Sequence, residues 1–249
     1  MPRSAAERRD DLVALYHEAR GCPRCPLSGS RTQVVFGSGD ADADLMFVGE
    51  APGFHEDAQG IPFVGRAGKL LDELLAENGW ARVEVFVANI LKCRPPDNRD
   101  PLPVEIETCR PYLERQVELI EPNVICTLGN FATKLLSGSS RGITQVHGQP
   151  LEREVGGRAV RLYPLFHPAA ALRTPRVKDQ LREDFRKLPA LLAAGPAPPP
   201  GGESPALDDQ AAEPGRGAGS TADAELSGQA GSTADADAAA RAEQLGLFG

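Results

Sequence analysis

No apolar stretch in this 249-residue chain approaches the ~20 residues that a membrane-spanning helix needs, and the opening MPRSAAERRDDLVALYHEAR has no apolar core of the kind a secretion signal carries. A soluble cytoplasmic protein with no membrane contact is expected. Cysteine is scarce as well. Five residues in a compartment that keeps thiols reduced argue against a disulfide framework and leave metal binding or redox chemistry as their uses. Only four histidines are present, His17, His55, His147 and His167, so an imidazole at a catalytic edge has few competitors.

Positive charge is almost missing from one part of the chain. From Ala190 to Gly249 nine acidic residues stand against two basic ones, Arg216 and Arg241, whereas residues 1–189 are nearly balanced. The overall charge of −8 therefore does not exclude a body that touches nucleic acid through a local basic patch. Composition changes at the same point, to PAPPPGG and then Ala, Gly, Ser, Asp and Glu, with AGSTADA at 218–224 recurring at 230–236. Such a segment has too little apolar surface to offset the entropy of ordering. A compact body over 1–189, a disordered acidic linker over 190–243 and a terminal peptide over 244–249 are expected.

Within the body, Leu45 to Gly49, Val83 to Leu91, Val124 to Gly129 and Val160 to Phe166 are short apolar runs without strict alternation, as strands covered on both faces should be. Helical spacing appears between them. Ala67 to Asn78 sets Leu70, Leu71, Leu74 and Leu75 on one face, Pro103 to Ile120 repeats apolar residues at the same period, and Thr174 to Leu188 forms a last helix. Gly142 to Val160, with Gly156-Gly157 at a turn, reads as a hairpin into the final strand. Alternating strands and helices predict a parallel sheet between helical layers, with ligands at the carboxyl ends of the strands.

The residues after each strand are accordingly the candidates for chemistry. After the first come Glu50, Ala51, Glu56, Asp57, the glycines of the loop to Gly68, and Phe63. The glycines allow close backbone approach to a flat or anionic ligand, although a turn-rich connection fits equally. After the second, Asn89 presents an amide that pairs a donor with an acceptor, the pattern of a nucleobase edge, and Lys92, Arg94 and Arg99 follow as phosphate contacts. After the fourth stands His167. Cys22 and Cys25 form a CxxC pair ahead of the first strand, and Cys93 and Cys109 flank a proline-rich loop. Four thiolates suit a tetrahedral zinc ion or an iron–sulfur cluster, and spacing alone does not choose between them. Cys126 lies mid-strand as a small buried hydrophobe.

Taken together, CPRCPL, GEAPGFHEDAQGIPFVGRAGKLLD, NILKCRPPDNRDP and HPAAALR closely resemble the family-four uracil-DNA glycosylases, the iron–sulfur branch of the uracil-DNA glycosylase superfamily, over roughly residues 20–190. The resemblance implies a three-layer α/β/α sandwich around a central four-stranded parallel sheet, a [4Fe-4S] cluster, and excision of uracil from DNA to leave an abasic site. Carried over by motif, Cys22, Cys25, Cys93 and Cys109 hold the cluster, whose role is architectural: it ties the N-terminal segment to the loop bearing Arg94. Phe63 is the face on which uracil stacks, Asn89 reads its edge, and His167 hydrogen-bonds its oxygen as charge grows on the departing base.

In the best-known glycosylases of the superfamily an Asp stands where this chain has Ala51. Glu50 is therefore the candidate for positioning the water, and Glu56 for shaping the pocket against the thymine methyl. Leu172 is the candidate wedge into the duplex, with Arg66, Arg94, Arg99 and Arg173 on the DNA and Arg176 beside them. Gln244, Leu245, Leu247 and Phe248 in the final peptide resemble the motif by which repair proteins dock on the replication sliding clamp. A nucleoid-associated monomer acting on uracil-containing DNA is expected. Two rivals are a non-catalytic iron–sulfur DNA-binding module and a zinc protein with unrelated hydrolase activity.

Overall fold

The computed structural model describes residues 3–198. In chain order its strands are β1 (Ser38–Gly39), β2 (Leu45–Gly49), β3 (Phe86–Asn89), β4 (Val124–Leu128), β5 (Leu151–Val155) and β6 (Arg158–Leu165). Its α-helices are α1 (Ala5–Arg20), α2 (Phe54–Gln59), α3 (Arg66–Glu77), α4 (Pro103–Ile120), α5 (Asn130–Ser137), α6 (Ile143–Val146), α7 (Pro168–Ala171), α8 (Pro175–Phe185) and α9 (Leu188–Ala193).

The strands form one sheet in the order β1-β3-β2-β4-β6-β5. Its centre is the expected four-stranded parallel unit, β3-β2-β4-β6, but the sheet is six-stranded and mixed. β1 pairs antiparallel with β3, and β5 antiparallel with β6. The edges were illegible for different reasons: β1 is only two residues long, and β5 was visible merely as the first arm of the hairpin, whose Gly156 and Gly157 both take positive φ. The second strand is also shorter than its apolar run. Ala81 N–H donates to Glu84 Oε2 (2.6 Å) and closes a turn over Arg82–Glu84, which leaves Val83 exposed.

Alternation along the strands divides the core. Met46, Val48, Phe86, Ala88, Ile125 and Leu162 face the layer of α1, α4 and α5, whereas Leu45, Phe47, Val87, Val124, Cys126 and Leu165 face α3, α8 and α9. In α3, Leu70, Leu71, Leu74 and Leu75 are all at most 2% exposed, each burial contributing about 1.5–3 kcal/mol. Two buried layers on one sheet are what make every central strand read as continuously apolar.

The connection from β2 runs to one side, to β3, and that from β4 to the other, to β6, so the order reverses between β2 and β4. A crevice outside the carboxyl ends of these strands follows from that reversal. No helix among the described residues is long and apolar enough to cross a membrane. The compact body does not end at residue 189: α9 spans that point, and Arg161 Nη1 donates to the carbonyls of Leu191 (3.0 Å) and Gly195 (3.1 Å). The rest of the acidic linker and the peptide with Gln244, Leu245, Leu247 and Phe248 lie outside the described residues.

Candidate active site

A cavity of about 530 Å³ opens at the predicted strand ends. Glu50 and Ala51 follow β2, Asn89 ends β3, and His167 follows β6; Phe63 reaches in from the loop between α2 and α3, and Glu56 from α2. Three polypeptide segments far apart in sequence thus bring Phe63, Asn89 and His167 to one place.

The floor depends on glycine. Gly49 pairs with Asn89 in the sheet, and a Cβ there would stand 2.4 Å from Asn89 Oδ1 and 2.9 Å from the Phe63 ring. Both side chains therefore lie across the bare backbone of Gly49. Phe63 itself has φ 56°, an uncommon conformation for a bulky residue. Its carbonyl is pressed against α3 at Gly68, where a Cβ would come within 1.6 Å of it. Arg82 completes the clamp: Nη2 donates to the carbonyl of Pro62 (2.8 Å) while Nη1 pairs with Asp72 (3.0 Å). The Phe63 ring, 8% exposed, stacks on the His167 ring with centroids 5.5 Å apart and planes 26° from parallel.

His167 is tuned by burial and by one hydrogen bond. Desolvation pushes its imidazole down to about 4, so it is neutral at pH 7. Nδ1 accepts the backbone N–H of Ala169 (3.1 Å), which assigns the ring proton to Nε2. The residue is a neutral N–H donor. Glu50 moves the opposite way, raised first by burial and then by the charge of Asp100. Glu56 is half-buried, its carboxylate folded back over Gly53. Asp57 turns away and accepts the amide of Thr32 (3.0 Å), a structural anchor outside the cleft.

Asn89 is 2% exposed, and its backbone is held from behind. Lys92, read from sequence as a phosphate contact, is instead 1% exposed. Its Nζ donates to the carbonyl of Asn89 (2.7 Å) and to Gln116 Oε1 (2.6 Å), and Gln116 Nε2 donates to the carbonyl of Phe36 (2.8 Å). Neither this relay nor the Arg82 clamp was recognised from sequence. A lysine inside the apolar run NILKC and a glutamine on the buried face of α4 were the available signals.

Of the basic residues, Arg99 and Arg173 line the cavity, and Arg99 is oriented by a bidentate pairing with the fully buried Glu105. Arg94 sits on the lip, Nε donating to Asn98 Oδ1 (2.8 Å). Arg66 is exposed at the start of α3 and does not line the cavity, and Leu172 is exposed just beyond α7 while Ala171 is buried.

Behind this site, Cys22, Cys25, Cys93 and Cys109 converge closely enough to feel one another's charge. Burial pushes Cys93 up to about 11 and also raises Cys109. Donors surround them: Arg31 Nη1 lies 3.5 Å from Cys93 Sγ, and the Lys92 amide 3.3 Å from Cys109 Sγ. The buried Tyr112 hydroxyl has no full hydrogen-bond partner and neighbours the Cys22 sulfur. Among the described residues no three His, Cys, Asp or Glu side chains close tightly on a single ion. Four thiols near enough to share one another's field, ringed by donors, are a ligand set of the kind that holds a metal centre.

Comparison with known proteins places these features in company. Residues 36–188 match the family model described as the Uracil DNA glycosylase superfamily. The chain is 44% identical over 189 residues to the Type-4 uracil-DNA glycosylase of Archaeoglobus fulgidus, covering 74% of this chain and 94% of that protein. It is 46% identical over 188 residues to the protein of the same name from Thermotoga maritima, covering 74% and 96%. Against the Saccharolobus solfataricus protein of that name the identity is 44% over 192 residues, covering 75% and 89%.

Proposed function

Because the chain belongs to the uracil-DNA glycosylase superfamily, we propose that its cleft takes up a uracil extruded from DNA and hydrolyses the N-glycosidic bond to deoxyribose. The enzyme is a hydrolase acting on N-glycosyl bonds. It releases free uracil and leaves an abasic site, the first step of base excision repair. The observation that carries the assignment of roles is the convergence of a neutral His167 Nε2 donor and the buried Asn89 amide beside the Phe63 ring.

Extrusion costs a few kcal/mol, least for an unpaired base. Stacking on Phe63 offsets about 1–3 kcal/mol of this. The Asn89 amide pairs with the uracil edge. Cytosine, offering a donor where uracil offers an acceptor, would leave buried groups unpaired, a stronger filter than hydrophobic fit. As the bond breaks its electron pair leaves with the base, and the sugar becomes cationic. His167 Nε2–H donates to the uracil oxygen on which negative charge grows, an interaction stronger in the transition state than in the ground state. Water adds to the sugar carbon and gives up a proton, which ends on the anionic base so that uracil departs neutral. Glu50 positions that water and balances the cationic sugar, Ala51 leaves the space beside it open, and Glu56 narrows the pocket against a thymine methyl. Arg99 and Arg173, with Arg66 and Arg94, take the phosphates, and Leu172 fills the gap left in the duplex.

Cys22, Cys25, Cys93 and Cys109 would hold a [4Fe-4S] cluster, which supplies structural cross-linking between the N-terminal segment and the loop after β3. The reading of residues 244–249 as a sliding-clamp peptide on an acidic linker, in a nucleoid-associated monomer, belongs to the same proposal. The non-catalytic alternative is not favoured, since relatives named as glycosylases match over nearly their whole length.

The test is release of uracil from a labelled oligonucleotide by wild type, Asn89→Ala and His167→Ala. Activity in wild type and its loss in both variants is expected; an iron-replete wild type that leaves the oligonucleotide intact would overturn the reading. Anaerobic purification tests the cluster, with stoichiometric iron and sulfide expected and a colourless zinc protein the contrary result. Deleting residues 244–249 should abolish clamp pull-down while sparing uracil release, and unchanged pull-down would reject the docking peptide.

A further inference from the structure

Five large hydrophobic side chains are exposed among the described residues, and Phe54 is the one aromatic ring in that set, at 58% exposure. It opens α2 directly after Gly53, and Pro52, Gly53 and Glu56 all line the cavity. Phe54 therefore stands on the lip of the cleft. The guanidinium of Arg94 lies over its ring at 5.2 Å from the centroid, and the same Arg94 is fixed by its bond to Asn98, another residue of the cavity wall. His55 meets the ring edge-on, centroids 5.5 Å apart. A planar aromatic held by a cation, left open to water at the mouth of a cleft that admits one base, is the composition of a stacking platform for single-stranded nucleic acid.

We propose that Phe54 and Arg94 form a second base-binding site, which takes the unpaired nucleobase next to the extruded uracil on the same strand. The inference rests on the glycosylase reading above, which brings DNA to this cleft. A strand whose uracil enters the cavity must cross the lip, and the neighbouring base has then lost one stacking partner. Phe54 offers a hydrophobic face in its place, and Arg94 adds positive charge toward the adjoining phosphate. Bases inside a duplex are already stacked and cannot lie flat on a side chain. The platform consequently favours single-stranded over double-stranded substrate, and it contacts neither uracil nor the reacting atoms.

The experiment uses the full-length holoenzyme with Phe54→Ala, Phe54→Leu and Phe54→Trp. Kd for a single-stranded oligonucleotide containing one uracil, and for its duplex, is measured by fluorescence anisotropy. Two further single strands carry 2-aminopurine on the 5′ or on the 3′ side of the uracil. Phe54→Ala and Phe54→Leu should each weaken single-strand binding about tenfold, equivalent to about 1.4 kcal/mol, with a change below about threefold on the duplex, while Phe54→Trp stays within about threefold of wild type on both. Quenching of 2-aminopurine at one of the two positions should appear with wild type and Phe54→Trp and vanish with Phe54→Ala.

Equal single-strand affinity for wild type and Phe54→Ala, a Phe54→Leu protein that binds as wild type does, or quenching at neither position would overturn the proposal. Binding and quenching need no turnover, so the platform is tested even if the glycosylase reading fails. That reading is judged separately, by whether wild type releases uracil.

Discussion

The cleft and the cysteine corner lie only a few residues apart along the chain after β3, and both bury ionisable groups. They differ in what surrounds those groups. In the cleft, burial alone drives His167 down and, with the charge of Asp100, drives Glu50 up. In the corner, burial also raises Cys93 and Cys109, but Arg31 and Lys92 approach the sulfurs as donors and work against the rise. For Cys22, burial is outweighed by the neighbouring Tyr112 hydroxyl and Arg24, and its thiol is lowered. One region keeps an imidazole donor neutral, as the proposed stabilisation of a departing base would require. The other sets donors toward its own sulfurs, as the proposed thiolate coordination would require.

The largest effect is expected for Cys109→Ser, which removes one ligand of the proposed cluster from a buried position. Iron content should collapse and the melting temperature fall by about 10 °C or more, on a scale of ~2–4 °C per kcal/mol. Cys126→Ala, buried in β4 away from the other four, should keep its iron, as an anaerobic iron and sulfide assay can check. Next comes His167→Ala. Loss of one preorganised donor should lower the single-turnover rate of uracil release by roughly 10²–10³ while iron is retained. If either variant produced the other's phenotype, the two regions would not be distinct.

Gly68→Ala forces a Cβ into the Phe63 carbonyl. It should cost about 1–3 kcal/mol of stability in a urea melt and raise KM for uracil-containing DNA, because the stacking face must move. Lys92→Met probes the link between the regions, since Lys92 donates to the Asn89 carbonyl through Nζ and to Cys109 through its amide. Leaving Gln116 Oε1 and the Asn89 carbonyl without their donor should cost about 1–3 kcal/mol, read by thermal unfolding.

The smallest and most specific effect concerns pH. The folded His167 titrates near 4 and the unfolded one near the ordinary 6.5. Below 6.5 the unfolded chain takes up a proton that the folded chain refuses. The contribution of this residue to stability therefore falls as pH drops from 6.5 toward 4 and is constant above 6.5. His167→Gln should flatten that part of the stability curve. The His167-dependent rate should hold from pH 7 down to about 5 and drop on approach to 4, where protonated Nδ1 can no longer accept from Ala169.

Much of this architecture was legible in the chain itself. The four central strands, α4 from Pro103 to Ile120 and the apolar face of α3 follow from period and punctuation, because a covered strand must be apolar throughout and a packed helix must repeat its apolar residues. The glycines at 49 and 68, the lone His after the last strand and the paired cysteines marked where chemistry would gather.

The sequence could not say which charged residues leave water. Lys92 and Asp57 look like surface groups in a list and are buried anchors in space, while Arg99 is tied to Glu105. Composition also could not set the tautomer of His167, the left-handed backbone of Phe63 or the exposure of Phe54. Each of these depends on how the backbone folds around it: the Ala169 amide turned onto His167, the helix and Arg82 clamped behind Phe63, and Arg94 laid over the Phe54 ring. Periodicity is a property of neighbours along one element and survives in the sequence; solvation and orientation are set by whatever else packs there, and only the folded chain decides them.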